Sequence, residues 1–234
     1  RGSQTVNHVR GFTLIELAIV LVIITILIGG LAMPLSAQIQ ARRVAETRQT
    51  MEEAREAIMG FAMTHQIAGQ PYLPCPDTVG DGIENRDAAG ICANEEGLFP
   101  WVTMGTAGQD AWGNRLRYRV TAAFADGSAG FSSADIGNLQ VCSSGGCATV
   151  DVASNVPVVL VSHGPNGRGA RSASGNTLAA PSGPDELENT DTDVNFVSHV
   201  PAMADAAGGE FDDLVVWVSD SLLRSRVCPA GGCP

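Results

Sequence analysis

At 234 residues the chain is long enough for one compact domain with an appendage. Its formal net charge is −11, and without residues 1–11, which hold Arg1 and Arg10 and no acid, it is −13. So acidic a surface repels phosphate backbones, and no basic stripe with interleaved aromatics offsets that field, so nucleic acid is not an expected partner.

The apolar residues are unevenly spread, with a dense run from Leu14 to Met33 ahead of a Gly-rich remainder. Phe12 to Met33 is 22 residues with a single charge, Glu16. As a helix this stretch spans about 33 Å, close to the roughly 30 Å hydrocarbon core of a bilayer. A membrane-spanning helix over residues 12–33 is therefore expected. A cleaved secretory signal has a shorter apolar core of about 7–15 residues, with small residues at the cut. Here Glu16 interrupts the start, and Leu35-Ser36-Ala37 puts leucine where a small residue is needed. A carboxylate at mid-bilayer costs roughly 2.5–3.5 kcal/mol, so a plain anchor leaves Glu16 unexplained. A helix N-terminus softens that cost by about 0.3–1 kcal/mol.

The segment Gly11-Phe12-Thr13-Leu14-Ile15-Glu16-Leu17 resembles the processing site of type IV prepilins and type II secretion pseudopilins. A short basic leader precedes a glycine and a phenylalanine, and glutamate is the fifth residue after the cut. The resemblance implies cleavage between Gly11 and Phe12 by a prepilin peptidase, N-methylation of Phe12, and an assembly role for Glu16. In that family the glutamate pairs with the N-terminal amine of a neighbouring subunit. Pro34 lies one residue further from the cut than the proline of many major pilins. Arg42, Arg43 and Arg48 follow the apolar run, so the positive-inside rule alone does not orient it.

Helical periodicity continues over residues 34–66. Leu35, Ile39, Ala41, Val44, Ala45, Met51, Ala54, Ile58 and Phe61 form a drifting apolar stripe, with Arg and Glu residues largely off it. Gly29, Gly30 and Pro34 are the weak points of one long helix. Gly69-Gln70-Pro71 ends it and opens a loop region to about Gly108. Asp110-Ala111-Trp112-Gly113-Asn114 reads as a turn, and residues 115–120 alternate as a half-buried strand does. Leu116, Tyr118 and Val120 are expected to face the helix, and Arg115, Arg117 and Arg119 solvent. This block also resembles the turn and strand of pseudopilin globular domains. Further strands are expected at Val156–Ser162 and Leu214–Ser219, with Asp212-Asp213 as turn and solvated edge.

The six cysteines, Cys75, Cys92, Cys142, Cys147, Cys228 and Cys233, include no CxxC. His65, His163 and His199 lack finger-ligand spacing toward them, so zinc is not expected. Six cysteines allow many connectivities. Sequential pairing closes short loops and is the favoured reading, with an oxidising compartment for residues 67–234. Asp77 to Glu84 has a calcium-loop flavour, but Val79 stands at the third position and no glutamate falls at the twelfth. Turn chemistry accounts for it, and no cofactor is expected. Some pseudopilins bind calcium in a C-terminal loop, which makes the acidic Asp185–Asp193 segment a second candidate. Ser162, His163 and Asp212 are triad residue types, but no GxSxG elbow surrounds the serine, so no catalytic residues are expected.

The expected fold is α+β: a long N-terminal helix, membrane-spanning in its first half, packed by its second half on an antiparallel sheet with disulfide-closed loops. The division is leader 1–11, assembly helix 12–33, amphipathic helix 34–66 and globular domain 67–234. The expected function is that of a structural pilin or pseudopilin subunit polymerising into a type IV pilus-like or type II secretion fibre. Its partners would be the prepilin peptidase, other subunits, an inner-membrane assembly platform and lipid. The expected location is the bacterial inner membrane, with the globular domain in the periplasm or, in a pilus, outside the cell. A membrane-tethered periplasmic binding module that does not polymerise is the rival. The leader discriminates, because a tether needs neither Gly11-Phe12 nor Glu16.

Overall fold

The computed structural model describes residues 12–228 and Cys233, without the side chains of residues 28–35. The leader, and with it Gly11, lies outside the described residues. The chain divides into two compact units, Arg1–Arg42 and Arg43–Pro234. Its elements begin with α1 (Leu14–Thr64), β1 (Gln66–Ile67), β2 (Gln70–Pro71), β3 (Glu96–Leu98), α2 (Trp101–Met104), β4 (Asn114–Arg115) and β5 (Arg117–Val120). There follow β6 (Leu139–Cys142), β7 (Ala153–Val156), β8 (Val158–Ser162) and β9 (Arg171–Ser172). The last are α3 (Pro184–Glu188), β10 (Asn195–Val197), β11 (Leu214–Val218) and α4 (Asp220–Val227).

The backbone of α1 stays helical through Gly29, Gly30 and Pro34. Its part in the second unit is rich in Ala, Arg, Glu and Met, all good helix formers. It ends at Thr64, and Ala68 and Gly69 then turn the chain at positive φ between β1 and β2. The buried face is Thr47, Met51, Ala54, Ile58 and Ala62, recurring every three or four residues. The expected stripe began earlier, but Ile39 and Ala41 are exposed in the first unit and Ala45 is exposed too. Burial starts at Thr47, a polar residue the apolar pattern passes over.

The helix covers one face of a four-stranded antiparallel sheet, ordered β11-β8-β5-β3. Leu116, Tyr118, Val120, Val158 and Leu160 share a core with Met51, Ile58 and Met59. Leu223 and Val227 of α4 close that core. The α+β class and the inward set Leu116, Tyr118 and Val120 are as expected.

The arginines are not. Arg119 is buried, and Arg117 is half-buried. Both grip Glu96 on β3, Arg119 at 2.6 Å, and both donate to carbonyls of the 191–192 segment. The cause is a second layer on the sheet's far face, a three-stranded sheet ordered β10-β6-β7. There Leu139, Val141, Val156 and Phe196 pack on Val159 and Val161. Consequently all five residues of β8 are buried.

The cysteines are joined as Cys75–Cys92, Cys142–Cys147 and Cys228–Cys233. The Asp110 turn is a knot rather than a surface bend. Asp110 Oδ1 accepts the amides of Trp112 (3.0 Å) and Asn114 (2.9 Å), and Oδ2 accepts the Ser162 hydroxyl (2.9 Å). Thr47 Oγ1 accepts the Ala111 amide at 3.1 Å, tying helix to turn. Gly113 closes the turn at φ +87°, a conformation that strains any residue with a Cβ.

Candidate assembly site

Phe12 and Thr13 precede the first turn of α1, and every described residue from Phe12 to Leu27 is exposed. Phe12 is 81% exposed and Leu14 86%. A continuous apolar surface of this kind marks a membrane or protein contact. Among the described residues no helix is long and apolar enough to cross a membrane. The described side chains of the apolar run stop at Leu27, about 21 Å of helix from Leu14. The rest of the expected span therefore lies largely outside the described side chains.

Within this apolar surface Glu16 has a specific structural duty. The Thr13 amide and hydroxyl both donate to Glu16 Oε2, at 2.8 and 2.9 Å, and the Glu16 amide donates to Thr13 Oγ1 at 3.3 Å. This reciprocal pattern is a capping box, which satisfies amide donors that a helix start otherwise leaves open. The Thr-x-x-Glu spacing was present in the sequence, so Thr13 was readable as the cap. Both Thr13 donors use one oxygen. Glu16 Oε1 accepts no hydrogen bond among the described residues.

A second polar cluster lies in the globular unit. Glu186, Asp212 and Asp213 offer carboxylate oxygens within 4.8 Å of one another. Glu186 and Asp213 are buried, which corrects the solvated edge expected for Asp212-Asp213. Glu186 Oε1 accepts from Asn166 Nδ2 (2.9 Å) and the Asp212 amide (3.0 Å). Oδ1 of Asp212 and of Asp213 are buried without a hydrogen-bond partner among the described residues. Hard carboxylate oxygens of this kind are the type that holds a divalent cation such as calcium. The candidate segment Asp185–Asp193 thus contributes Glu186 here, and Glu188, Asp191 and Asp193 to a largely exposed group. In Asp77–Glu84 the Asp77 carboxylate is spent on the amides of Val79, Gly80 and Gly82, as turn chemistry requires. Ser162 and His163 do not act together: Ser162 bonds Asp110, while His163 Nδ1 lies 3.5 Å from Asp213 Oδ1.

Burial first, then the neighbouring Glu186 and Asp213, pushes the Asp212 carboxyl up to about 7. Burial raises Glu186 as well. A carboxyl raised in the folded state holds its proton more tightly there than when unfolded. Its contribution to stability therefore grows as pH falls through about 7 and levels off near its ordinary range. In chelator-treated protein the melting temperature is expected to rise by a few degrees between about pH 8 and about pH 5.5. Asp212→Asn should melt higher than wild type at the alkaline end and show a shallower slope. Thermal scans across pH check this, and an unchanged slope in Asp212→Asn refutes it.

Residues 6–32 match a family model described as the prokaryotic N-terminal methylation motif. No curated protein and no solved structure matches the chain. The matched stretch contains Gly11 and Phe12, the expected leader junction, and Thr13 and Glu16, which form the capping box. The motif implies processing by prepilin peptidase and assembly with other pilin subunits. Over residues 6–32 this chain carries the signature of type IV pilins and pseudopilins.

Proposed function

We propose that the chain is the precursor of a structural subunit, a pilin or pseudopilin, that polymerises through its N-terminal helix into a pilus-like or secretion fibre. Cleavage after Gly11 frees the amine of Phe12, which is then methylated. Residues 12–33 hold the subunit in the inner membrane until assembly, with residues 67–234 in the periplasm. The observation that carries this reading is Glu16, a carboxylate set among exposed apolar side chains with one oxygen engaged and one open. In an apolar surrounding an open carboxylate oxygen is costly until a cation meets it. The N-terminal amine of a neighbouring subunit is such a cation, and it can reach Oε1 without dismantling the capping box. A monomeric tether gives Glu16 nothing to pair with.

Processing is the direct test. Intact-mass measurement of protein purified from membranes should show an N-terminus at methylated Phe12. Replacing Gly11 with a bulky residue should leave the leader attached in nearly all molecules, because the peptidase must seat a small residue there. A mature N-terminus near Gln38 would instead identify an ordinary secretory signal.

A further inference from the structure

Strands β4 and β9 pair antiparallel with Arg115 directly opposite Arg171. Directly opposed residues project from the same face about 4.5–5.5 Å apart at Cβ, and like charges there repel. The chain has 25 acidic residues, yet neither arginine forms an ion pair among the described residues. Arg115 instead lies over the Trp101 ring, 3.8 Å from its centroid, and Arg171 Nε donates to the Gly175 carbonyl at 3.2 Å. Both are half-buried.

The pair lines a pocket of about 340 Å³ together with Arg117, Thr78, Asn94 and Thr177. The two acids on its wall are already used. Asp77 accepts three amides of its own turn at 2.6–2.9 Å, and Glu96 is held by Arg117 and Arg119. Arg117 Nε is buried with no hydrogen-bond partner among the described residues. The pocket thus holds three guanidinium groups against two carboxylates in an acidic protein, and the opposed Arg115 and Arg171 have no ion-pair partner among the described residues. Guanidinium forks match oxyanions, and the flanking hydroxyl and amide groups can bond the remainder of a ligand.

We propose that this pocket binds a small molecule bearing an oxyanion, a carboxylate or a phosphate, clamped between Arg115 and Arg171. The volume is at the small end of ligand sites, enough for a group of monosaccharide size. Bound anion removes the cross-strand repulsion, so ligand and fold stability are linked. The pocket is independent of the N-terminal segment, and its failure would leave the assembly reading untouched.

The test uses the full mature chain in non-ionic detergent. Thermal scans are run with millimolar phosphate, sulfate, citrate or glucuronate, each against chloride at matched ionic strength. At least one oxyanion should raise the melting temperature beyond chloride in wild type and in the control Arg226→Gln. Arg171→Gln and Arg115→Gln should lose that increment, with apparent affinity weakened roughly tenfold or more. Without anion, Arg171→Gln should melt close to wild type, because relief of the repulsion offsets the lost bond to the Gly175 carbonyl. Binding should also change Trp101 fluorescence, a signal lost in Trp101→Phe. A response to phosphate and sulfate alone assigns a tetrahedral ligand, and one to citrate or glucuronate alone a carboxylate. An equal shift in Arg171→Gln, or no oxyanion exceeding chloride in wild type, overturns the proposal.

Discussion

Glu16→Ala is expected to abolish incorporation into fibres while leaving membrane insertion and cleavage after Gly11 intact. The substitution removes one carboxylate and no packing surface of the globular unit, whose core lies at Thr47 and beyond. Insertion should survive or improve, since a desolvation cost disappears. On the proposed mechanism, what is lost is the partner of a neighbour's amine. Breaking such a pair in a low-dielectric setting costs about 3–5 kcal/mol, roughly a hundredfold or more in incorporation. Alanine also removes the reciprocal bonds to Thr13, so the start of the helix changes together with the charge. Glu16→Gln separates the two effects, because its amide oxygen still accepts from Thr13 but carries no charge. If pairing is the mechanism, both variants fail. If capping alone matters, Glu16→Gln assembles. Sedimentation of sheared fibres and cross-linking, in cells making the other subunits, read the outcome. Normal incorporation of both variants would refute the assembly role of Glu16.

Asp110→Ala is expected to destabilise the globular unit by about 2–4 kcal/mol, among the largest losses from a polar position. Three donors would lose their acceptor: the amides of Trp112 and Asn114, and the buried hydroxyl of Ser162. The same turn seats the Ala111 amide on Thr47, so the anchor between helix and sheet loosens with it. Asp110→Asn should cost far less. Burial already raises the Asp110 carboxyl, favouring its neutral form, and asparagine keeps one oxygen for the two amides. Its Nδ2 can donate to Ser162, whose hydroxyl serves as acceptor equally well. Denaturant unfolding of the two variants checks both values, and equal losses would refute the acceptor argument.

Much of this was legible in the sequence, and the gaps have physical reasons. The alternation of Leu116, Tyr118 and Val120 gave the inner face of β5 because period two is a local property. The outward placing of Arg117 and Arg119 failed because it assumed a sheet covered on one side only. Yet β8 contradicts that assumption in its own residues. Val158, Val159, Leu160 and Val161 are consecutive apolar residues, and such a run signals a strand buried on both faces. The covering layer itself was harder to see. β6 and β10 are four and three residues long and pair in parallel across more than fifty positions, so no local period announces them. The N-terminal capping box was fully local and readable. The opposition of Arg115 to Arg171 was not, because a register between distant strands has no signature in either strand alone.

The placing of β8 also constrains the order in which the chain can close. This strand is flanked by β5 on one side and β11 on the other, and β11 lies some fifty residues further along. During synthesis or export the centre of the sheet therefore waits, one edge open, until Leu214–Val218 has been delivered. The earlier closures are free to form meanwhile, such as the pairing of β5 with β8 and the Cys75–Cys92 bridge over 17 residues. A chain stalled before β11 would present Val159 and Val161 on an unpaired edge, open to strand addition by other chains. The interval before β11 arrives is the stretch of the protein's life in which a chaperone has most to guard.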